Sequence, residues 1–321
     1  MTKPIRMITA MAIAVASGFA SAATPAVHPL EKLEVSAQRN LWLDVQRSGE
    51  RLVAVGEKGF VIISDDQGSQ WRRAKAPVGS TLTAVSFANP KDGAAVGHRG
   101  MAIYTRDGGI QWQSAKIEDR GPAEALLDVW LAPTGKGFAV GAFGSFLETD
   151  DNGQTWQQRP APGEAPDAHL NAIGATPDGA VFIVGERGTV LRSTDQGLTW
   201  SPLRTGYEGS FFGIQSLGGS AVLVYGMRGN ALRSSDNGAT WESVDTKTKI
   251  TLAGSVMLAD GRVLLVGNEG VHALSTDGAK TFRIASTPAR RAIASVMEIS
   301  PGRLLSAGGG GIAPLQLIAP R

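Results

Sequence analysis

The chain has 321 residues, with 31 lysines and arginines against 29 aspartates and glutamates, 41 glycines and no cysteine. Near-balanced charge removes any global argument for nucleic acid or an anionic membrane as partner, and the absence of cysteine excludes disulfides and a lipid-anchored cysteine. Glycines placed at repeated positions between short apolar runs mark many tight turns, and so a strand-rich protein.

In chain order, the first element is an address. Lys3 and Arg6 precede an apolar, alanine-rich run from Met7 to Ala20, and Ala20-Ser21-Ala22 has the small-x-small form of a cleavage site. Residues 1–22 read as a secretory signal peptide, which predicts a periplasmic or secreted mature chain. Its removal takes Lys3 and Arg6 away and leaves equal numbers of basic and acidic residues, 29 of each. No later stretch approaches the ~18 apolar residues of a membrane-spanning helix, so no direct membrane insertion is expected. Next, Leu30 to Ser36 alternates apolar and polar residues as a half-buried strand does.

From there the chain repeats. A cassette [ST]-x-D-x-G-x-x-W runs from Ser64 to Trp71, Thr105 to Trp112, Thr149 to Trp156, Ser193 to Trp200 and Ser234 to Trp241, with a variant copy from Ser275 to Phe282. The closing aromatics are spaced by 41, 44, 44, 41 and 41 residues, the length of one four-stranded propeller blade. An apolar-G-x-x-G element precedes each cassette and returns seven times, from Val55–Gly59 to Ala307–Gly311. A short apolar strand some dozen residues further upstream also occurs seven times, beginning with Trp42 to Val45 and ending with Ile293 to Val296.

Each unit therefore reads as an inner strand, a strand ending at the first glycine, a tight G-x-x-G hairpin, a third strand, the cassette as a second hairpin, and an outer strand starting at the aromatic. The seventh unit stops after its third strand. The expected fold is all-β: residues 23–321 form a seven-bladed propeller of four-stranded antiparallel blades. The strand at Leu30 to Ser36 closes the last blade and removes the open edge.

The cassette residues are those that a turn needs. Asp195 accepts backbone N–H groups of its own turn, Ser193 assists, Gly197 supplies a left-handed residue, and Trp200 anchors the turn on the blade. The role expected of the cassette is thus structural. In the sixth copy the glycine moves one place, to Gly278, and Phe282 replaces tryptophan, so a different turn type is expected there.

The cassette is similar to the Asp-box, or BNR repeat, of sialidases and other propellers. The longer pattern from Val184 to Trp200, V-G-x-x-G-x-[VIL]-x-x-[ST]-x-D-x-G-x-[ST]-W, resembles the photosystem II stability and assembly factor family, the Ycf48/HCF136-like proteins. That resemblance covers about Leu41 to Ile312. It implies a seven-bladed, non-enzymatic assembly factor for a membrane complex. It also implies, from similar proteobacterial proteins, a partner such as an RND-type (MMPL-like) exporter or its periplasmic segment. The propeller itself is expected to be a monomer. No phosphate-binding or metal motif is present, so no cofactor is expected.

The competing reading is a carbohydrate-active propeller, sialidase-like or otherwise. No R-[IL]-P motif is present, Tyr104 and Tyr225 fall within strands, and Tyr207 has no recognisable partner. Asp44 and Asp128 are the carboxylates of interest. Both occupy an inner-strand position held elsewhere by Ala84, Ala172, Gly213, Ser255 and Ser295, and they are expected as solvated groups in the central channel. His28, His98, His169 and His272 are isolated, which gives no metal-site spacing.

The G-x-x-G row carries a pattern that turn construction does not require. Lys58, Arg99, Arg187 and Arg228 recur near the hairpin tips and form a partial basic arc suited to an acidic segment of a partner, with Glu57 and Glu186 as neutralising neighbours. Unit three carries Phe143 instead. The two 44-residue steps lengthen the connections at Ile117 to Ala125 and Pro160 to Ala168 on either side of that hairpin. Lys58, Arg99, Phe143, Arg187 and Arg228 are the candidate partner-binding residues.

Overall fold

The computed structural model describes residues 35–77, 79–118, 124–163 and 167–317, which form a seven-bladed propeller. Blade 1 consists of Trp42–Ser48, Arg51–Gly56, Val61–Ser64 and Arg72–Arg73; blade 2 of Leu82–Phe87, Gly93–Gly97, Met101–Thr105 and Gln113–Ser114. Blade 3 has Leu126–Leu131, Gly137–Gly141, Phe146–Thr149 and Thr155–Arg159; blade 4 has Leu170–Ala175, Val181–Gly185, Val190–Ser193 and Ser201–Pro202. Blade 5 has Phe211–Gly218, Ala221–Gly226, Ala231–Ser234 and Glu242–Val244; blade 6 has Leu252–Met257, Val263–Gly267, Val271–Ser275 and Arg283–Ser286. Blade 7 contributes Ile293–Ser300, Arg303–Gly308 and Gly311–Leu315.

The second strand of each blade is an almost unbroken apolar run because it is covered on both faces. In blade 1, Leu52 and Ala54 pack against blade 7, whereas Val53 and Val55 pack against blade 2. The ring closes between blades 7 and 1, where the Arg47 guanidinium donates to Ile299 O at 2.6 Å. The strand expected to complete blade 7 falls, for residues 30–34, outside the described residues. Val35, within that segment, packs on the core shared by blades 1 and 7, and just after it Ile312 N–H of the third strand donates to Ala37 O at 2.6 Å.

Two connections run along the next blade's rim before turning inward. Lys75 bridges in parallel to Gln111, and Lys116–Glu118 pairs in parallel with Thr155–Arg159, giving blade 3 a fifth, outermost strand. Part of the first extended connection thus covers a strand edge that would otherwise stand open.

The hairpins divide the molecule into two faces. On one face the Asp-boxes meet the turns between first and second strands of the preceding blade, as where Arg51 donates to Asp107 O and Gly108 O at 3.2 and 3.1 Å. On the other face the inter-blade connections cross the G-x-x-G hairpins, with Gly79 N–H donating to Lys58 O and Gly144 N–H to Ala168 O, both at 2.9 Å.

All six Asp-boxes share one bonding scheme. In the fourth, Ser193 Oγ donates to Asp195 Oδ1 at 2.8 Å, Gly197 N–H donates to Ser193 Oγ at 2.7 Å, and Thr199 N–H donates to Asp195 Oδ1 at 2.9 Å. The Thr199 hydroxyl donating to Asp195 Oδ2, then the Thr199 N–H and the Ser193 hydroxyl, hold the Asp195 carboxyl at about 2. In boxes one to three the indole N–H also donates to the box glycine carbonyl, as from Trp156 to Gly153 O at 3.0 Å.

The sixth copy corrects the expectation of a different turn type. Ser275 Oγ donates to Asp277 at 2.8 Å, Ala279 N–H donates to Ser275 Oγ at 2.9 Å, and Thr281 N–H donates to Asp277 at 3.0 Å. Gly278 and Ala279 have φ of 73° and 64°, matching Gly108 and Gly109 at 69° and 88°. Alanine simply occupies the glycine seat. A Cβ built on Gly153 or Gly238 would meet a side chain of the preceding blade first, Ala94 at 2.6 Å or Leu203 at 2.5 Å, and then Cζ2 of that box's tryptophan at 3.2 or 3.1 Å; Phe282 lacks the atom that makes this second contact.

Candidate functional site

The G-x-x-G hairpins are built for two different reasons at their two glycines. After the first, the next N–H must reach the carbonyl of the incoming connection, as Glu57 reaches Leu41 O at 3.1 Å and His98 reaches Thr81 O at 2.9 Å. A Cβ at Gly56 or Gly97 would sit 2.1 or 2.0 Å from those carbonyl oxygens. In blades 1, 2, 3, 5 and 6 the hairpin is then a single 3-10 turn whose last two residues are left-handed, and Arg187 and Gly188 of blade 4 are left-handed as well.

The third position of the G-x-x-G element is the point of interest. Lys58, Arg99, Phe143, Arg187, Arg228 and Glu269 all have φ between 50° and 59°, a region that side chains other than glycine, asparagine and aspartate enter at a cost. Their side chains project from one face. Phe143 is 62% exposed, with its ring edge-to-face on His169 at 4.8 Å. His169 ends the lengthened connection between blades 3 and 4, which thus reaches the hairpin of blade 3; of the other long connection, residues 119–123 lie outside the described residues.

The basic residues differ in their engagement. Arg187 makes a bidentate pair with Asp167 at 3.2 and 3.1 Å, which holds the Asp167 carboxyl below the usual range. This corrects the expected partner, since Glu186 instead accepts His169 N–H at 3.2 Å. Lys58 Nζ is 3.8 Å from Glu57, and Glu57 also accepts from Asn40 at 2.7 Å. Arg228 acts on Tyr207, whose hydroxyl is pushed up by burial and eased down by that guanidinium. Tyr207 packs on Phe211 with ring centroids 5.0 Å apart. A cavity of ≈ 320 Å³ beside it is lined by Arg187, Arg204 and Leu191, with Pro162 of the second long connection at its edge.

The central channel is a second polar site, a cavity of ≈ 360 Å³ bordered by Asp44, Asp128 and Tyr225. Neither carboxylate is simply solvated, in contrast to the sequence expectation. Asp44 Oδ1 accepts Val45 N–H at 2.8 Å and Ser295 Oγ–H at 2.9 Å, while Oδ2 accepts Val85 N–H of blade 2 at 3.0 Å. Asp128 accepts Val129 N–H at 2.8 Å and, across the junction, Ile173 N–H of blade 4 at 2.9 Å. Both are half-buried. Desolvation raises both carboxyls, Asp128 to about 7, its backbone hydrogen bonds opposing and the Asp44 charge adding to the rise.

Three other junctions carry equivalent ties: Thr83 Oγ–H to Leu126 O at 2.9 Å, Asn171 Nδ2–H to Phe211 O at 2.8 Å, and Tyr225 O–H to Ser255 Oγ at 2.9 Å. Strand register places Gly254, not Ser255, at the position of Asp44 and Asp128, because Gly254 pairs with Val266 as Asp44 pairs with Val55. Tyr225 is the channel residue that sequence reading passed over. The signal for it was the combination of a tyrosine in the usual valine slot with Gly213 opposite, where a Cβ would lie 2.2 Å from the tyrosine ring.

A search of curated protein sequences gave no match. Among solved structures, YCF48 bound to D1 peptide has 18% identity and a TM-score of 0.69, with 86% of this chain and 92% of that chain covered. YCF48 from Cyanidioschyzon merolae has 17% identity and a TM-score of 0.67, covering 87% and 96%. A GH74 enzyme of Niastella koreensis also matches at 16% identity and a TM-score of 0.66, with 86% of this chain and 43% of that one covered. At such identities these likenesses establish the fold alone. The family model for the photosynthesis system II assembly factor YCF48 matches residues 119–298, more than half of the chain, and the protein belongs to that family.

Proposed function

We propose that this protein is an exported, non-enzymatic accessory factor that holds a segment of a membrane-protein complex on its G-x-x-G face. The observation that carries the reading is a contrast between two sets of left-handed positions. On the Asp-box face they are filled by Gln67, Gly108, Asn152, Gln196, Asn237 and Gly278, mostly the residues that adopt this conformation cheaply. On the G-x-x-G face the equivalent set is Lys58, Arg99, Phe143, Arg187, Arg228 and Glu269, which includes neither glycine nor asparagine. Backbone strain kept at exposed positions for the sake of long side chains points to recognition.

Family membership supports an assembly-type role, and the similar structure of YCF48 bound to D1 peptide supports a peptide as ligand. The partner we propose is a periplasmic segment of an inner-membrane transporter of RND (MMPL-like) type. The carbohydrate-active alternative draws on two channel carboxylates, but both are occupied by backbone amides across blade junctions, and Tyr225 is tied to Ser255.

A photo-crosslinking residue placed at Phe143 in intact cells tests the reading. The expected product is an adduct with a membrane protein, lost when Arg99 and Arg228 are changed to glutamate and retained in Asp44→Asn. Capture of soluble glycan without membrane protein, or capture abolished by Asp44→Asn alone, would refute it.

A further inference from the structure

The channel carboxylates bear on the ring as a whole. The inner strands of all seven blades border the cavity, and Asp44, Asp128 and Tyr225 are its only titratable lining groups among the described residues, with no lysine, arginine or histidine beside them. The remaining polar side chains of the inner wall, including Thr83, Asn171, Ser255 and Ser295, are neutral. Each carboxylate also spans a junction, Asp44 from blade 1 to blades 2 and 7, and Asp128 from blade 3 to blade 4. Two acids thus share a narrow cavity without a countercharge, at the points where neighbouring blades are tied together.

We propose that these carboxylates make the channel a proton-sensing element, in which the folded ring retains a proton that the unfolded chain releases, so that the blade junctions loosen as the surroundings turn from mildly acidic to neutral. Hydrogen bonding to backbone amides survives protonation, because a carboxylic acid still presents acceptor lone pairs to Val129 and Ile173. Ionisation places an uncompensated charge in the cavity and repels the neighbouring carboxylate. The sign follows from the raised Asp128 carboxyl, about 7 when folded against 3.8 as the reference. Its stabilising contribution is complete below about pH 4, is lost as pH rises from there to 7, and is constant above.

The test uses the full chain. Urea unfolding is followed between pH 4.5 and 8 for the wild type, Asp128→Asn, Asp44→Asn and the double variant, with carboxyl-¹³C aspartate NMR of the wild type as a measurement that needs no variant. Between pH 5 and 6.5, Asp128 should make the wild-type unfolding constant rise about 10-fold per pH unit relative to Asp128→Asn, and one aspartate carbon should titrate near pH 7. Comparing slopes cancels the opposite contribution of buried His272, present in every variant. Identical slopes in wild type and Asp128→Asn, or all aspartate carbons titrating below pH 5, would overturn the proposal. So would a midpoint raised at pH 8 by added Mg²⁺ or Ca²⁺ in the wild type but not in Asp44→Asn/Asp128→Asn, which would make the cavity a cation site.

Discussion

The sixth Asp-box allows a double-mutant cycle with a worked expectation. Phe282→Trp alone forces the second indole ring toward the Ala279 methyl, which is fully buried. In three other boxes the corresponding Cζ2 lies 3.1 to 3.6 Å from a Cβ built on the box glycine. Overpacking of this kind costs about 1–3 kcal/mol. Ala279→Gly alone loses one buried methyl, about 1 kcal/mol, and relieves a left-handed alanine by a similar ~1 kcal/mol, so it should be nearly neutral. The pair together recreates the arrangement of the third box, where the indole donates to the glycine carbonyl at 3.0 Å. The double variant should therefore be more stable than the sum of the singles by about 2 kcal/mol. Urea midpoints at constant m-value would measure this. Additivity within about 0.5 kcal/mol would refute the idea that phenylalanine and alanine compensate one another here.

Two further expectations concern glycine and pH. Gly97→Ala, with its Cβ 2.0 Å from Thr81 O, should cost at least ~3 kcal/mol or abolish folding, whereas Gly206→Ala, at φ 74° with nothing within 4 Å, should cost about 1 kcal/mol; thermal melts of both decide it. The Asp195 and Asp236 carboxyls are held at about 2 by their own turns. The stability they lend is present above about pH 4 and is lost as pH falls through 2, so the melting temperature should drop across that interval. A flat melting profile from pH 4 to 2 would contradict it.

The architecture was legible in the sequence because each blade repeats a steric requirement rather than a composition. The close approach at Gly56 and the left-handed seat at Gly197 leave few other residues possible, so both recur at fixed spacing. What the sequence concealed depended on neighbours in space. Ala279 breaks the Asp-box pattern without altering the turn, because its compensation, Phe282, can be judged only against the packing of the other boxes. Asp44 and Asp128 stood out as odd residues on inner strands, but their engagement came from blades 2 and 4, more than 40 residues away. Likewise, Arg187 has Glu186 next to it in sequence but pairs with Asp167, 20 residues away on the crossing connection.

The two faces differ in what their strain achieves, and that difference can be measured. If the left-handed residues of the G-x-x-G hairpins were chosen for the turn, replacing Phe143, Arg228 and Glu269 with asparagine would leave stability unchanged or lower it. If they are held there for recognition, the same replacements relieve strain. Each should then stabilise by a few tenths to about 1 kcal/mol, since asparagine enters this region more readily than bulky or long side chains. The three are well separated on blades 3, 5 and 6, so their effects should add to roughly 1–2 kcal/mol. Partner capture by the triple variant should fall at the same time. A triple variant that is more stable and still captures its partner would show the strain to be unconnected with binding. One that is less stable would show that these side chains serve the turn itself. Stability gained together with binding lost is the outcome expected of a surface kept for its contacts rather than its fold.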